Sequence, residues 1–176
     1  MKIVIALSAI LVASSASANC PQWMDQSLRK LHSSDTLNLC VIASDKPLLI
    51  VNTASHCGFT PQFKGLETVH QQYSGQGLVV LGFASNDFRQ EASEEAKAAK
   101  VCYVNYGVTF TMIAPTSVRG ENSNPVFREL AAQTQAPAWN FNKYLVDREG
   151  VVVRHFGSQT RPDDPRFRQA VEKLLF

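Results

Sequence analysis

The chain has 176 residues, 45% of them hydrophobic and 18% charged, with a formal net charge of +2. That length suits one domain with a sizeable core, and that balance excludes a disordered chain. With no basic stripe, acidic tail or low-complexity tract, nothing points to nucleic acid as a partner.

The first elements read as a leader rather than as fold. Lys2 is a short positive region, Ile3–Val12 an apolar segment too short to span a bilayer, and Ala16-Ser17-Ala18 a small-residue cleavage pattern. Residues 1–18 are therefore expected to be a signal peptide, followed by a single domain over residues 19–176 with no membrane insertion after cleavage. Cleavage removes one lysine and no acid, leaving 16 basic against 15 acidic residues, a net +1. An acylated Cys20 is the alternative, disfavoured by Asn19 directly before it. The expected location is outside the cytoplasm, in a Gram-negative cell the periplasm, where disulfides form.

Along the mature chain, Asp35–Ile42 reads as a short strand or hairpin arm. Pro47–Ser55 is a continuous apolar run of strand length, as for a strand buried on both faces. Thr60 is a candidate N-cap with Pro61 at the first helical position, and Phe63, Leu66, Val69 and Tyr73 recur at helical spacing up to the break at Gly75–Gly77. Leu78–Ser85 is a second apolar strand. Ser93 is expected to cap a helix through Glu94–Val104, rich in good helix formers. Gly107–Ile113 reads as a short strand and Val126–Gln133 as a helix. Lys143–Asp147 and Val151–Phe156 alternate across Arg148-Glu149-Gly150 as a β-hairpin, and Asp164-Pro165 opens a C-terminal helix. Strands alternating with helices and closing on a hairpin imply an α/β fold: a central mixed β-sheet flanked by helices.

The mature chain keeps four cysteines, Cys20, Cys40, Cys57 and Cys102. No C-x-x-C is present, and spacings of 20, 17 and 45 residues with no clustered histidine suit no common zinc site, so no metal is expected. A Cys20–Cys40 bridge would pin the new N-terminus. Cys57 and Cys102 are then left as a second pair, either functional or two buried thiols.

Cys57 lies in "VNTASHCGFTPQFKGLE", just after a strand and three residues before Thr60. A thiolate is the reactive form of cysteine, and a helix N-terminus favours an anion. Gly58 would allow close approach. A structural cysteine is the other reading. Cys102 would be able to condense with an oxidised Cys57, or it packs under the sheet. Trp139 and Asn140 offer uncharged N–H donors, or else an aromatic cover and a turn. Asn86 and Asp87 end the second apolar strand, at the sheet edge where ligands gather, or form a polar turn.

Taken together, "VNTASHCGFTPQFKGLE", "LGFASNDF", "YGVTFTM" and "WNFNKYLVD" resemble the glutathione peroxidase family over about Leu37 to Phe176. The resemblance implies a thioredoxin-like fold, reduction of hydrogen peroxide and organic hydroperoxides by thiols, and no metal or haem cofactor. Cys57 matches the peroxidatic cysteine, which is selenocysteine in some members. Trp139 and Asn140 match two further members of the family's tetrad, and the fourth, normally Gln, falls on Asp87. An amide there donates to a thiolate, whereas an ionised carboxylate repels it. Ala84-Ser85 replace a usual Pro-Cys, Thr111 stands where Pro is common, and the chain is short between Gln90 and Ser93.

Cys102 resembles the resolving cysteine of members that use a thioredoxin-like reductant. The short stretch between Leu130 and Trp139 lacks the insertion of tetrameric, glutathione-binding members, so a monomer reduced by a protein dithiol is expected rather than by glutathione. Two rival functions stay open: a peroxide-responsive sensor or partner-binding protein with little turnover, and a one-cysteine, glutathione-using peroxidase.

Overall fold

The computed structural model describes residues 20–176; the leader and its cleavage point lie outside the described residues. The centre is a five-stranded mixed sheet of β3 (Leu48–Thr53), β4 (Val79–Ala84), β5 (Thr111–Ile113), β6 (Lys143–Val146) and β7 (Val152–Phe156), in the order β5-β4-β3-β6-β7. β3, β4 and β5 run parallel, while β6 and β7 are antiparallel additions. The expected mixed sheet is thus present, with a thioredoxin-like arrangement.

β3 is buried along its whole length, which is why its sequence reads as an apolar run rather than an alternating one. The two faces still separate. Leu49 and Val51 join a cluster with Phe63, Leu66 and Val69 of α2 (Gln62–Tyr73) and Phe167, Val171 and Leu175 of α5 (Pro165–Leu175). Leu48 and Ile50 join the opposite cluster with Leu39 of α1 (Leu39–Ala43) and Val126, Phe127 and Leu130 of α4 (Pro125–Gln133). The C-terminal helix begins as expected at Asp164-Pro165, and α4 opens one residue ahead of the expected Val126, on a cap that was not foreseen. The Asn124 side chain accepts from Phe127 N–H ahead of Pro125, and that of Asp164 accepts from Arg166 N–H ahead of Pro165.

Four expectations need correcting. Asp35–Ile42 is not one arm: β2 (Thr36–Asn38) pairs antiparallel with β1 (Ser27–Arg29), and the chain then turns into α1. Lys30 bridges to Ile113, so this ribbon covers the open edge at β5. Thr60 is not the cap of α2, which starts at Gln62; its hydroxyl donates to Ala54 C=O and accepts from Cys57 N–H. The helix expected from Ser93 begins at Glu95 as α3 (Glu95–Ala99) and continues as a π-helix over Lys100–Asn105. The strand expected from Gly107 pairs only from Thr111, as β5.

Cys20 and Cys40 form a disulfide with a Cα–Cα distance of 5.7 Å, tying the N-terminal segment to α1. Closing a loop of this length contributes roughly 3 kcal/mol in the chain-entropy model. Replacing both by serine is expected to lower stability by about that amount in denaturant melts, without altering the sheet.

One cation is buried in the sheet. Lys143, fully buried and opposite Val51 in the β3–β6 register, donates from Nζ to Thr160 C=O at 2.7 Å. Among the described residues no carboxylate pairs with it. Burial therefore pushes its ammonium down to about 7. Between that value and the ordinary lysine range the unfolded chain holds the proton that the folded chain has released, so stability rises with pH across this window. The expected outcome is that Lys143→Met is the more stable protein at pH 6.5. The difference should shrink by about 2 kcal/mol by pH 9, read from denaturant midpoints at each pH.

Candidate active site

Parallel pairing of β3 with β4 places Thr53 beside Ala84. The loops that leave these two carboxyl ends therefore start side by side, at the edge where α/β sheets gather ligands. The first carries Cys57. Cys57 is 7% exposed, and its Sγ accepts Phe59 N–H at 3.4 Å. Its backbone N–H donates to Thr60 Oγ1 at 3.0 Å, and its C=O accepts from Thr60 N–H. This turn leads directly into the twelve-residue α2, whose positive end favours an anion. A Cβ added at Gly58 would meet nothing within 4 Å. The backbone is therefore open at Gly58, the residue after the thiol.

The second loop follows β4. Ser85 N–H donates to Thr53 C=O, anchoring its start. Asp87 then turns its carboxylate to the neighbouring loop. One oxygen accepts Val118 N–H at 2.6 Å and Arg119 N–H at 3.1 Å, and the Ser117 hydroxyl donates to both oxygens. Its lone pairs thus organise residues 117–119. Phe88 is buried between the Trp139 ring, 5.1 Å away, and the Arg119 guanidinium, 5.0 Å from its centroid. After Arg89, in the left-handed region at φ 56°, Gln90 reaches both neighbouring loops. Its C=O accepts His56 N–H at 2.9 Å, and its Oε1 accepts Asn140 Nδ2–H at 3.0 Å. Glu91 accepts from the Ser55 N–H and hydroxyl and from Ala92 N–H. Burial holds its carboxyl above the usual range against these donors.

The third loop precedes β6 and is fastened by Asn52 near the carboxyl end of β3. Asn52 Nδ2 donates to Trp139 C=O at 3.0 Å, its Oδ1 accepts Asn142 N–H at 3.0 Å, and its C=O accepts Phe141 N–H at 2.7 Å. Phe141, at φ 61°, takes the left-handed turn that this grip demands, and its ring packs edge-on against Phe63 of α2 at 5.2 Å. Trp139 is left 41% exposed, while Asn140 is fully buried. Beyond the bond to Gln90, the Asn140 Oδ1 has no hydrogen-bond partner.

Cys102 lies in the π-helix, 3% exposed, in the same apolar cluster as Cys57, and both thiols are free. Its thiol is pushed up to about 12, first by burial and then by the Glu91 charge. In place it is a thiol, not a nucleophile. The π-helix around it is the kind of irregular helix that recurs at functional sites, and it carries Val104 exposed on its surface.

The fold therefore brings the Cys57 loop, Gln90 and Asn140 into one hydrogen-bonded set, with Trp139 at its rim. It engages Asp87 in the adjoining turn. Sequence reading passed over Asn52, Gln90 and Glu91. Asn52 carried a signal, being the one amide inside a wholly buried strand, where an unpartnered polar group is costly. Gln90 and Glu91 carried none, because their partners are 34 or more residues distant in sequence for His56 and Ser55 and 50 for Asn140. Among the described residues, no group of three or more His, Cys, Asp or Glu gathers as a metal site. This set offers a thiol on a loop that hydrogen bonds join, through Gln90, to the Asn140 amide.

The family model described as Glutathione peroxidase matches residues 27–131. The chain is 47% identical over 134 residues to the glutathione peroxidase homolog BsaA of Staphylococcus aureus, covering 73% of this chain and 84% of that protein. It is 44% identical over 124 residues to the glutathione peroxidase-like peroxiredoxin gpx1 of Schizosaccharomyces pombe, covering 67% and 78%. The crystal structure of T. cruzi GPX1 superposes with a TM-score of 0.67 at 25% identity, covering 87% of this chain and 95% of that one. Sequence and fold agree, and the chain belongs to the glutathione peroxidase family.

Proposed function

We propose that this protein is a thiol-dependent peroxidase of the two-cysteine, non-selenium kind, acting on hydrogen peroxide and organic hydroperoxides. The observation that carries the reading is Cys57 itself, with Phe59 N–H on its sulfur, the start of α2 behind it and open space over Gly58. The Cys57 thiolate attacks the terminal peroxide oxygen. The O–O bond breaks, the sulfur is oxidised by two electrons to a sulfenic acid, and the leaving oxygen takes a proton to depart as water or alcohol. Uncharged donors at Asn140 and Trp139 stabilise the sulfur anion and the developing charge on the leaving oxygen. No metal or organic cofactor enters this scheme.

Cys102 is the resolving thiol. Held in the fold it is protonated and buried, so the π-helix opens before it attacks the sulfenic sulfur, releasing water and leaving a Cys57–Cys102 disulfide. An external thiol then reduces that disulfide with two electrons. A thioredoxin-like protein dithiol fits a buried pair better than glutathione, with the chain acting as a monomer. The Cys20–Cys40 bridge fits an oxidising compartment, and with the leader pattern of residues 1–18 it supports export, to the periplasm in a Gram-negative cell.

Three measurements test this. Peroxide should be consumed catalytically with a dithiol reductant and not at all by Cys57→Ser; stoichiometric loss without turnover would leave a sensor instead. Mass mapping should find Cys20–Cys40 before and after one equivalent of peroxide, and Cys57–Cys102 only after. A Cys57–Cys40 bridge, or unchanged turnover in Cys102→Ser, would remove the resolving step. In the reduced protein, iodoacetamide at pH 8 should label Cys57 at least tenfold faster than Cys102, which is protonated at that pH. Denaturation should equalise the two.

A further inference from the structure

We propose that Gln90 is a positioning residue for the peroxidatic centre, orienting the Asn140 amide in the place that Asp87 does not fill. The inference rests on the peroxidase reading of Cys57. It starts from two facts about the loop after β4. Asp87, where the family pattern supplies an amide, spends its oxygens on Ser117, Val118 and Arg119. Three residues later an amide does enter the site: Gln90 Oε1 accepts from Asn140 Nδ2 at 3.0 Å. The Gln90 C=O also holds His56 N–H, one residue before Cys57, at 2.9 Å. Gln90 thereby joins the nucleophile loop to the Asn140 loop by one backbone and one side-chain hydrogen bond.

The unused capacity of these amides is informative. Asn140 is fully buried, yet its Oδ1 has no partner, and only one bond from its Nδ2 is satisfied within the protein. Gln90 Nε2 also makes no hydrogen bond among the described residues. Leaving a buried amide oxygen unpaired is costly unless a ligand supplies the bond. A hydroperoxide carries both an O–H donor and acceptor oxygens, so the free edge of Asn140 matches it in both senses, with N–H left to donate and C=O left to accept. An amide rotates about its last bond, and only a fixed partner decides which edge faces the reacting atoms. Gln90 is that partner. An acid in the same role would add a negative charge beside a sulfur that must itself become negative. Asp87, tied into the turn by two backbone N–H groups and a hydroxyl, keeps its charge satisfied there instead.

The test compares Gln90→Met with wild type, both in the Cys102→Ser background so that only Cys57 reacts. Two quantities are read: the second-order rate of sulfur oxidation by hydrogen peroxide, and the pH midpoint of Cys57 alkylation by iodoacetamide. Gln90 is half-buried in a loop, so the variant keeps the fold, which thermal melts verify. Expected are oxidation about fivefold to tenfold slower, the span of one lost hydrogen bond, and an alkylation midpoint raised by about half a pH unit. In an Asn140→Ala background the same change should cost less than about twofold, because Gln90 acts through Asn140. Asp87→Asn should lower the melting temperature and leave the alkylation midpoint in place. A Gln90→Met protein with both quantities at wild-type values overturns the inference, as does a full additional loss on top of Asn140→Ala. Wild-type protein that alkylates at Cys57 but is not oxidised by peroxide would sink the peroxidase reading, and the alkylation midpoint would still report on Gln90.

Discussion

The parallel pairing of β3 with β4 is the constraint on which the rest of the molecule depends. Register Thr53↔Ala84 makes two chain segments leave the sheet at the same level. One carries the thiol and the other the Gln90-Glu91 pair. The antiparallel entry of β6, with Lys143 opposite Val51, brings the Trp139–Asn142 loop to the same edge from the other side. Three loops that are far apart in sequence meet there because one six-residue strand is central to the sheet. All six of its residues are buried, between the two apolar clusters.

The edge is held by amides rather than by ion pairs. Asn52 fastens the Trp139 loop with three hydrogen bonds, and Gln90 links that loop to the Cys57 loop through His56 N–H. The described ion pairs lie on the surface, as in Arg29–Glu95 and Arg166–Asp164, where each contributes little. The choice follows from the chemistry. A fixed positive charge beside Cys57 would stabilise the thiolate but also hold it in the ground state, whereas neutral donors serve the thiolate and the departing oxygen alike. The half-buried carboxyl of Glu91 is directed at Ser55 and Ala92, and its field acts on Cys102. The two cysteines thus share an apolar cluster but not an electrostatic environment.

That asymmetry has a structural source in the helix that starts as α3. Its Ala98 and Ala99 are buried good helix formers, but the chain widens into a π-helix at Lys100 and keeps Cys102 inside and Val104 outside. The π-helix packs against the sheet through Cys102, in the apolar cluster that also holds Cys57.

Much of this was legible in the residues alone. The apolar runs at Pro47–Ser55 and Leu78–Ser85, the helical spacing from Phe63 to Tyr73, and the Pro-initiated helix at Pro165 depend on local chemistry, and local chemistry is written in order along the chain. The same holds for Cys57 between a buried strand and a helix, and for the motifs that mark the family. Boundaries such as the start of α2 were displaced because Thr60 had a stronger bond to make with Ala54 and Cys57 than with the helix. What only the tertiary structure decided is direction: that Asp87 faces residues 117–119, that Gln90 meets Asn140, and that Asn52 grips the Trp139 loop. A side chain's partner is set by sheet register and loop path, which bring together residues 30 to 90 positions apart, and no local pattern in the sequence carries that distance.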